Sequence, residues 1–414
     1  MFAILVIFAL VTPLLSLLLI SLYYLKYKRP VKAAILFGLA SAACFYNYIP
    51  DSGNDSIRHM MNLHFYEEIP VWKCFDAGHY SQTYLWDLWS WIVAQFRLPY
   101  LLPATAAFIG YTITAYLVLD YCKQINASRN NSIIAMLLTA LMTSPVGIVV
   151  GIRNANAFLI CMLGMYLCGV KHKSKIVGAT LMLCGVLIHH SALLVLAMWV
   201  IFPFFKKSQK VCGFSVATVI LSLTAISNYI LKNVAGSNWI LSMIVEAFNG
   251  VSAYQAENSY NVAVAANTKY KVESFISIAM IVLMLFRSVM SVKKTSALSL
   301  KETDEMNAYI TVKQLSFLFT IVTFSLMVVL LINGGRYSGI ASKMAFLAMI
   351  YSYQRIPFLP KKNGILLLID TAILAGIAMN VILSIYTLSW GSGSIESLLG
   401  GLIGGVLYGA INAG

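Results

Sequence analysis

Few residues of the sequence are charged, and acidic residues are fewer than basic ones. Only 11% of the 414 residues are charged, with 15 Asp and Glu against 29 Lys and Arg. A soluble domain typically has about 25% charged residues, whereas 60% of this chain is apolar and its mean hydropathy is +0.80. These values exclude an ordinary soluble domain and predict a chain surrounded mainly by lipid.

Cysteines and the common nucleotide and metal motifs are also poorly represented. Of seven cysteines, only Cys74 lies in a polar loop, and the other six lie in or beside apolar runs. This placement argues against a disulfide framework and a cysteine metal site. No Walker, Rossmann, HExxH or CxxC pattern occurs in the sequence, so nucleotide hydrolysis and zinc proteolysis have no support, and no cofactor is expected.

Apolar runs recur from end to end and leave no stretch long enough for a separate soluble domain. We therefore predict one integral membrane domain over 1–414, an all-α polytopic protein with about 12 to 13 transmembrane helices. No Lys or Arg precedes the first run, so it is expected to remain as an anchor rather than act as a signal peptide. The expected spans are 3–25, 31–49, 99–121, 131–150, 154–170, 175–190, 191–205, 211–231, 273–292, 311–333, 337–354 and 364–386.

Basic residues concentrate on alternate connectors between these runs, which is the pattern of cytoplasmic loops. This pattern explains the net charge of +14 without a nucleic-acid partner. It places the amino terminus outside, together with two long polar connectors, 50–83 and 232–272, which are predicted to be periplasmic. The glycine-rich tail, 398–413, either crosses the membrane once more or packs against the other helices.

The segment 84–96 is apolar, but a full crossing there would reverse the charge pattern of everything that follows. It contains Asp87 and is rich in tryptophan, with Trp86, Trp89 and Trp91. We therefore predict an interfacial or re-entrant helix at the outer boundary.

Two arginines are predicted to lie at helix starts on the outer face. Arg153 begins a segment with two amides, Asn154 and Asn156, and Arg336 follows two glycines and precedes Tyr337. Free backbone N–H groups, the helix dipole and a forked guanidinium together favour a phosphate or pyrophosphate. Each arginine has an alternative interpretation, because Arg153 can snorkel to headgroups or cap a helix and Arg336 can anchor at the interface.

Adjacent histidines, His189 and His190, precede Ser191 between two apolar runs that are too short to span comfortably. The tip of this hairpin is therefore expected inside a hydrated cavity, where an imidazole can accept a proton from a sugar hydroxyl. The alternative is a structural pair that bonds to backbone carbonyls. In the outer connector, Asp55 and Arg58 stand three residues apart, so they either form a local ion pair on a helix or face the substrate.

These motifs, in this order, resemble the EpsG branch of the Wzy-type O-antigen (polysaccharide) polymerase family, over about 50 to 355. The matching segments are the connector from Asn54-Asp55 to Tyr66, the helix start from Gly151 to Leu159, the tip His190-Ser191-Ala192, and Arg336-Tyr337.

The resemblance implies a metal-independent glycosyltransferase of the bacterial inner membrane. It would join undecaprenyl-pyrophosphate-linked repeat units at the periplasmic face, with membrane lipid and a chain-length regulator protein as further partners. On this interpretation Arg153 and Arg336 hold the departing pyrophosphate, and His190, ranked above His189, deprotonates the acceptor. The expected substrate contacts are Asp55, Arg58, Asn154, Asn156 and Tyr337.

The sequence leaves two alternatives to a polymerase. An O-antigen ligase, or another lipid-linked glycosyltransferase, would have the same kind of site. A lipid-linked oligosaccharide flippase is disfavoured, because internal repeats are not evident and the deeper charges, Arg287, Lys343 and Asp370, are interpreted as too scattered to line a path.

Overall fold

The regular structure of the chain is helical. The computed structural model describes residues 1–46, 48, 55–77, 83–143, 146–222, 268–293, 304–329, 331–354, 356–388 and 403–406, and no β-strand occurs among them. The all-α class is therefore confirmed for the described part of the chain.

The α-helices are, in chain order, α1 (Phe2–Val11), α2 (Pro13–Tyr27), α3 (Pro30–Phe45), α4 (Asp55–Met61), α5 (Cys74–Ala77), α6 (Tyr84–Ala94), α7 (Leu101–Gln124), α8 (Arg129–Met142), α9 (Ile152–Gly169), α10 (Lys175–Ile188), α11 (Ala192–Lys207), α12 (Gln209–Leu221), α13 (Thr268–Lys293), α14 (Asp304–Val329), α15 (Leu331–Tyr353) and α16 (Gly364–Leu388). Short 3₁₀ turns cover Asn62–Tyr66 and Val71–Lys73, and a π-helical turn covers Val146–Val150.

Five of the described helices are long and apolar enough to cross a membrane. These are Leu101–Gln124, Ile152–Gly169, Lys271–Ser291, Asp304–Val329 and Gly364–Ser384. Further apolar helices of 10–17 residues, such as Lys175–Ile188, are shorter than the about 20 residues that span a bilayer. Membrane character thus follows from length and composition.

The first predicted span, 3–25, is two helices rather than one. α1 ends at Val11 and α2 begins at Pro13, while Thr12 between them has a non-helical backbone, with φ −135° and ψ 71°. Proline has no N–H to donate, and its ring disfavours a helical conformation in the residue before it. Both helices pack against α3.

A second boundary differs near the carboxyl third. The run predicted to begin at 337 is α15, which begins at Leu331, so Gly334, Gly335 and Arg336 lie inside a helix. Each glycine costs only about 1 kcal/mol in a helix interior, so two glycines do not by themselves end a helix. Arg336 therefore does not mark a helix start.

The two long connectors are only partly described. In 50–83, residues 55–77 form α4, the two 3₁₀ turns and α5. In 232–272, residues 232–267 lie outside the described residues, and α13 begins at Thr268. All but residues 403–406 of the tail 398–413 also lies outside them.

The chain divides into two compact units. The first comprises Met1–Tyr166, Leu187–His189 and Ile377–Gly414, and the second comprises Leu167–Val186 and His190–Gly376.

In the first unit, α3 and α7 pack closely together. A Cβ atom at Gly38 of α3 would lie 2.8 Å from the carbonyl oxygen of Phe108 in α7, so glycine permits this approach. The hydroxyl of Tyr24 donates to the carbonyl oxygen of Leu119 at 2.6 Å, which ties α2 to α7. The hydroxyl of Tyr166 donates to the carboxylate of Asp120 at 2.9 Å, which ties α9 to α7.

In the second unit, α15 packs against both α13 and α14. The rings of Tyr309 and Tyr351 stack with centroids 4.5 Å apart, and the hydroxyl of Ser288 contacts that of Tyr309 at 3.0 Å. The three helices are thus joined by aromatic and polar contacts as well as by apolar packing.

Candidate functional site

Arg153 lies at the start of a long helix, as predicted. The π-helical turn Val146–Val150 precedes it, and α9 begins at Ile152, which makes Arg153 the second helical residue. The first four N–H groups of a helix have no partner within it, and they bear the positive end of the helix dipole. The half-buried Arg153 side chain adds its charge to the positive end of that dipole.

The ring of Trp86 contacts the side chain of Arg153. The guanidinium carbon of Arg153 lies 5.6 Å from the centroid of the Trp86 ring, within range of a cation–π contact. Trp86 belongs to α6, and only 2% of its surface is exposed. A buried aromatic ring thus contacts the guanidinium.

α6 is eleven residues long, about 16 Å at 1.5 Å per residue, against an apolar bilayer core of about 30 Å. This length agrees with the prediction that 84–96 is not an ordinary crossing. Side-chain bonds from α6 and from Gln95, the residue that follows it, hold this segment to the preceding connector. Trp91 donates to the carbonyl oxygen of Ile69 at 2.8 Å, and Gln95 donates to that of Tyr66 at 3.0 Å.

Asp87, the residue after Trp86, is a buried carboxyl group. Its surface is 1% exposed, and one of its oxygens accepts a hydrogen bond from the hydroxyl of Tyr66 at 3.0 Å. Burial raises the pKa of Asp87 to about 6, although the Tyr66 bond and the charge of Arg153 act in the opposite direction. Asp87 is therefore a carboxyl that changes charge near neutral pH.

His59 also contacts Trp86. Its ring is buried on α4 and meets the Trp86 ring edge to face, with centroids 4.9 Å apart. We name His59, Tyr66, Trp86, Asp87 and Arg153 the Arg153 cluster. All five belong to the first unit, so the segment 55–77, α6 and the start of α9 jointly build it.

The two amides near Arg153 differ in their surroundings. Asn154 is half-buried, whereas Asn156 is fully buried. The amide group of Asn156 donates to the carbonyl oxygen of Ile152 at 2.9 Å, and its side-chain oxygen has no hydrogen-bond partner among the described residues. Because an amide oxygen only accepts, that atom suits a hydroxyl group better than a phosphate.

Asp55 and Arg58, the other predicted contacts in the connector, both lie on α4. The Arg58 side chain is exposed, and the Asp55 side chain lies outside the described part of the chain. Their predicted role in substrate binding stays a prediction.

The histidine motif forms a turn, as expected. His189, His190 and Ser191 lie between α10 and α11, and the side chains of both histidines are half-buried. The hydroxyl of Tyr337 donates to the carbonyl oxygen of Ser191 at 2.6 Å. Two segments that sequence reasoning singled out separately, His190-Ser191 and Arg336-Tyr337, are thus brought together within the second unit.

Arg336 is placed only by its backbone, on the turn of α15 that carries Tyr337. Its side chain lies outside the described part. The predicted convergence of Arg153 with His190 and Arg336 stays a prediction.

Two of the deeper charges that were interpreted as scattered form an ion pair. Arg287 and Asp370 are fully buried, with a nitrogen and an oxygen 2.8 Å apart. Arg287 also donates to the carbonyl oxygens of Ile356 and Pro357, and Asp370 accepts from the backbone N–H of Leu359 at 2.9 Å. The pair therefore fixes the connector between α15 and α16 and has a structural role.

The sequence-based prediction assigns none of His59, Tyr66, Trp86 and Asp87 to the site. One signal for Asp87 was available. A carboxyl group in an apolar, tryptophan-rich segment is costly unless it has a partner, so it indicates either a buried polar contact or a functional site.

The described residues contain no group of three or more His, Cys, Asp or Glu side chains that could hold a metal ion. Comparisons with protein-family models, with curated proteins and with solved structures find no match for this chain.

Proposed function

We propose that this protein is a polysaccharide polymerase that joins undecaprenyl-pyrophosphate-linked oligosaccharide repeat units, as the resemblance to the Wzy-type family implies. The proposal includes about 12 to 13 membrane crossings, a location in the bacterial inner membrane and a site that faces the periplasm. A membrane-embedded substrate accords with the apolar composition and with the five helices long enough to span a bilayer.

The observation that carries the proposal is the Arg153 cluster. A guanidinium in the first turn of a spanning helix, supported by Trp86 and surrounded by buried polar groups, suits a diphosphate at the membrane boundary. The connector that supplies His59 and Tyr66 is one of the two predicted to be periplasmic. A lipid-linked donor would present its diphosphate at that depth.

In the proposed reaction a hydroxyl oxygen of the acceptor sugar attacks the anomeric carbon of the donor chain. The bond between that carbon and the pyrophosphate oxygen breaks, and the electron pair leaves with the pyrophosphate. His190, or else His189, accepts the hydroxyl proton, and Arg153 and Arg336 stabilise the negative charge of the leaving group. Electrostatic stabilisation of this kind contributes about 3 to 4 kcal/mol for one well-placed donor.

Deletion of the gene tests the proposal. A polymerase mutant is expected to carry a single repeat unit on its lipopolysaccharide, and plasmid-borne wild type should restore the ladder of long chains. A deletion strain that still makes long ladders would contradict the proposal. Long polymer that accumulates on the lipid carrier without reaching lipopolysaccharide would identify a ligase instead.

A further inference from the structure

Asp87 is the buried charge of the Arg153 cluster that the proposed reaction does not use. It follows Trp86 directly in α6, so the residue that supports the Arg153 guanidinium and the residue that opposes its charge are neighbours in sequence. Its bond from Tyr66 also holds the 3₁₀ turn Asn62–Tyr66 against α6.

We propose that Asp87 is a positioning residue of the Arg153 anion site: its carboxylate is the counter-charge of Arg153, and its protonation admits a diphosphate. The ligand class is a diphosphate diester, the group that joins a sugar to a lipid carrier. The inference rests on the proposed function for that choice of ligand only.

An ionised Asp87 and a diphosphate would compete for the guanidinium of Arg153. An ionised Asp87 lowers the positive potential at Arg153 and repels a diphosphate, whereas a neutral Asp87 removes that repulsion. Arg153 itself keeps its charge throughout. Because burial raises the pKa of Asp87 to about 6, this balance is expected to change between about pH 5 and about pH 8.

The contribution of Asp87 to the pH dependence must be distinguished from those of other titratable groups around it. Burial raises the pKa of both Tyr66 and Cys74, so both stay neutral near pH 6. His59 contacts Trp86, and histidine side chains generally titrate in the same range as Asp87. A protonated His59 would favour anions as well, so it needs its own variant.

The probe is a symmetrical dialkyl diphosphate diester, whose two negative charges stay fixed over the pH range of the experiment. Calorimetry on the full-length protein in lipid nanodiscs measures its binding at about pH 5 and about pH 8. Wild type is expected to bind it on the order of tenfold more tightly at the lower pH. Asp87→Asn is expected to bind with the same high affinity at both pH values, and Asp87→Glu should retain a pH dependence.

Three further variants serve as controls. Arg153→Ala should lose binding at both pH values. Asp76→Asn removes the same charge from an exposed position on the same connector and should behave as wild type. His59→Gln should keep most of the pH dependence.

The inference is overturned if wild type fails to bind the diester at either pH, or if Asp87→Asn keeps the wild-type pH dependence. It is also overturned if His59→Gln, and not Asp87→Asn, abolishes that dependence. The diester cannot undergo transfer, so these results do not depend on polymerase activity. Long ladders that persist in the deletion strain would contradict the proposed function and would leave this inference standing.

Discussion

The hydroxyl of Tyr337 donates a hydrogen bond to the carbonyl oxygen of Ser191 at 2.6 Å, across 146 positions of sequence. The bond fixes the turn that carries His190 against the second turn of α15, where Arg336 lies. Tyr337 is 5% exposed, so the bond is shielded from water. Within the second unit it positions the proposed base relative to a proposed anion-binding residue.

Loss of this bond should loosen the histidine turn. Tyr337→Phe keeps the ring but removes the donor, and we expect it to cost about 1 kcal/mol of stability. Misplaced reacting groups slow a reaction strongly, so the yield of long polymer should fall roughly tenfold. Polymer length in a complemented deletion strain and thermal unfolding of purified protein measure the two effects. Tyr27→Phe, the same change at an exposed position on α2, should leave both unchanged, and equal losses in the two variants would contradict this account.

Arg153 is expected to be essential for polymer formation. Arg153→Ala removes the charge at the start of α9, and Arg153→Lys keeps a charge but loses the planar group that stacks on Trp86. We expect no ladder from the first variant and a shortened ladder from the second, with both proteins inserted at wild-type levels. Arg129→Ala, at an exposed position, is the matched control. A full ladder from Arg153→Ala would exclude the proposed anion site.

The proposed base is tested by substitution of each histidine. His190→Ala should reduce polymer by about 10²-fold or more, since general base catalysis contributes about 10² to 10⁴. His189→Ala should reduce it less, because the resemblance assigns the motif to His190. His172→Ala, an exposed histidine between α9 and α10, should have no effect. If His189→Ala is the more damaging variant, the two roles are exchanged.

The Arg287–Asp370 pair should stabilise the second unit only as a pair. Arg287→Met leaves a fully buried carboxylate without its ion-pair partner, and such changes cost about 3 to 5 kcal/mol. The double variant Arg287→Met/Asp370→Leu removes both charges and should recover much of that loss. Thermal unfolding and membrane yield measure the effect, with Lys362→Met at an exposed position as control. Additive losses in the double variant would show that the pair is not coupled.

Asp87 should make stability depend on pH. Its folded-state pKa, about 6, lies above the ordinary value, so the folded protein holds a proton that the unfolded chain releases. Stability is therefore expected to fall as pH rises from about 4 towards about 6, and then to level off. Asp87→Asn should lose this slope and unfold at a higher temperature than wild type at neutral pH. An unchanged slope in Asp87→Asn would assign the effect to another group.

Much of the helical organisation follows from local sequence. Long apolar runs predict α7, α9, α14 and α16 to within a few residues at most of their ends, because nothing within these runs breaks a helix. The boundaries that differ have local causes of their own. Pro13 ends the first helix early, and the glycines before Arg336 are too weak to stop a helix that begins at Leu331.

The amino-acid sequence by itself determined the helical class, the lipid environment, the helix start at Arg153 and the turn at His190, because each depends on composition or on a few adjacent residues. Only the tertiary structure decided that Asp87 bonds to Tyr66, that Trp86 supports Arg153, and that Arg287 pairs with Asp370 across 83 positions. Such contacts depend on which faces of packed helices meet. Hydrophobic runs without a strong polar side leave that choice open until the helices pack.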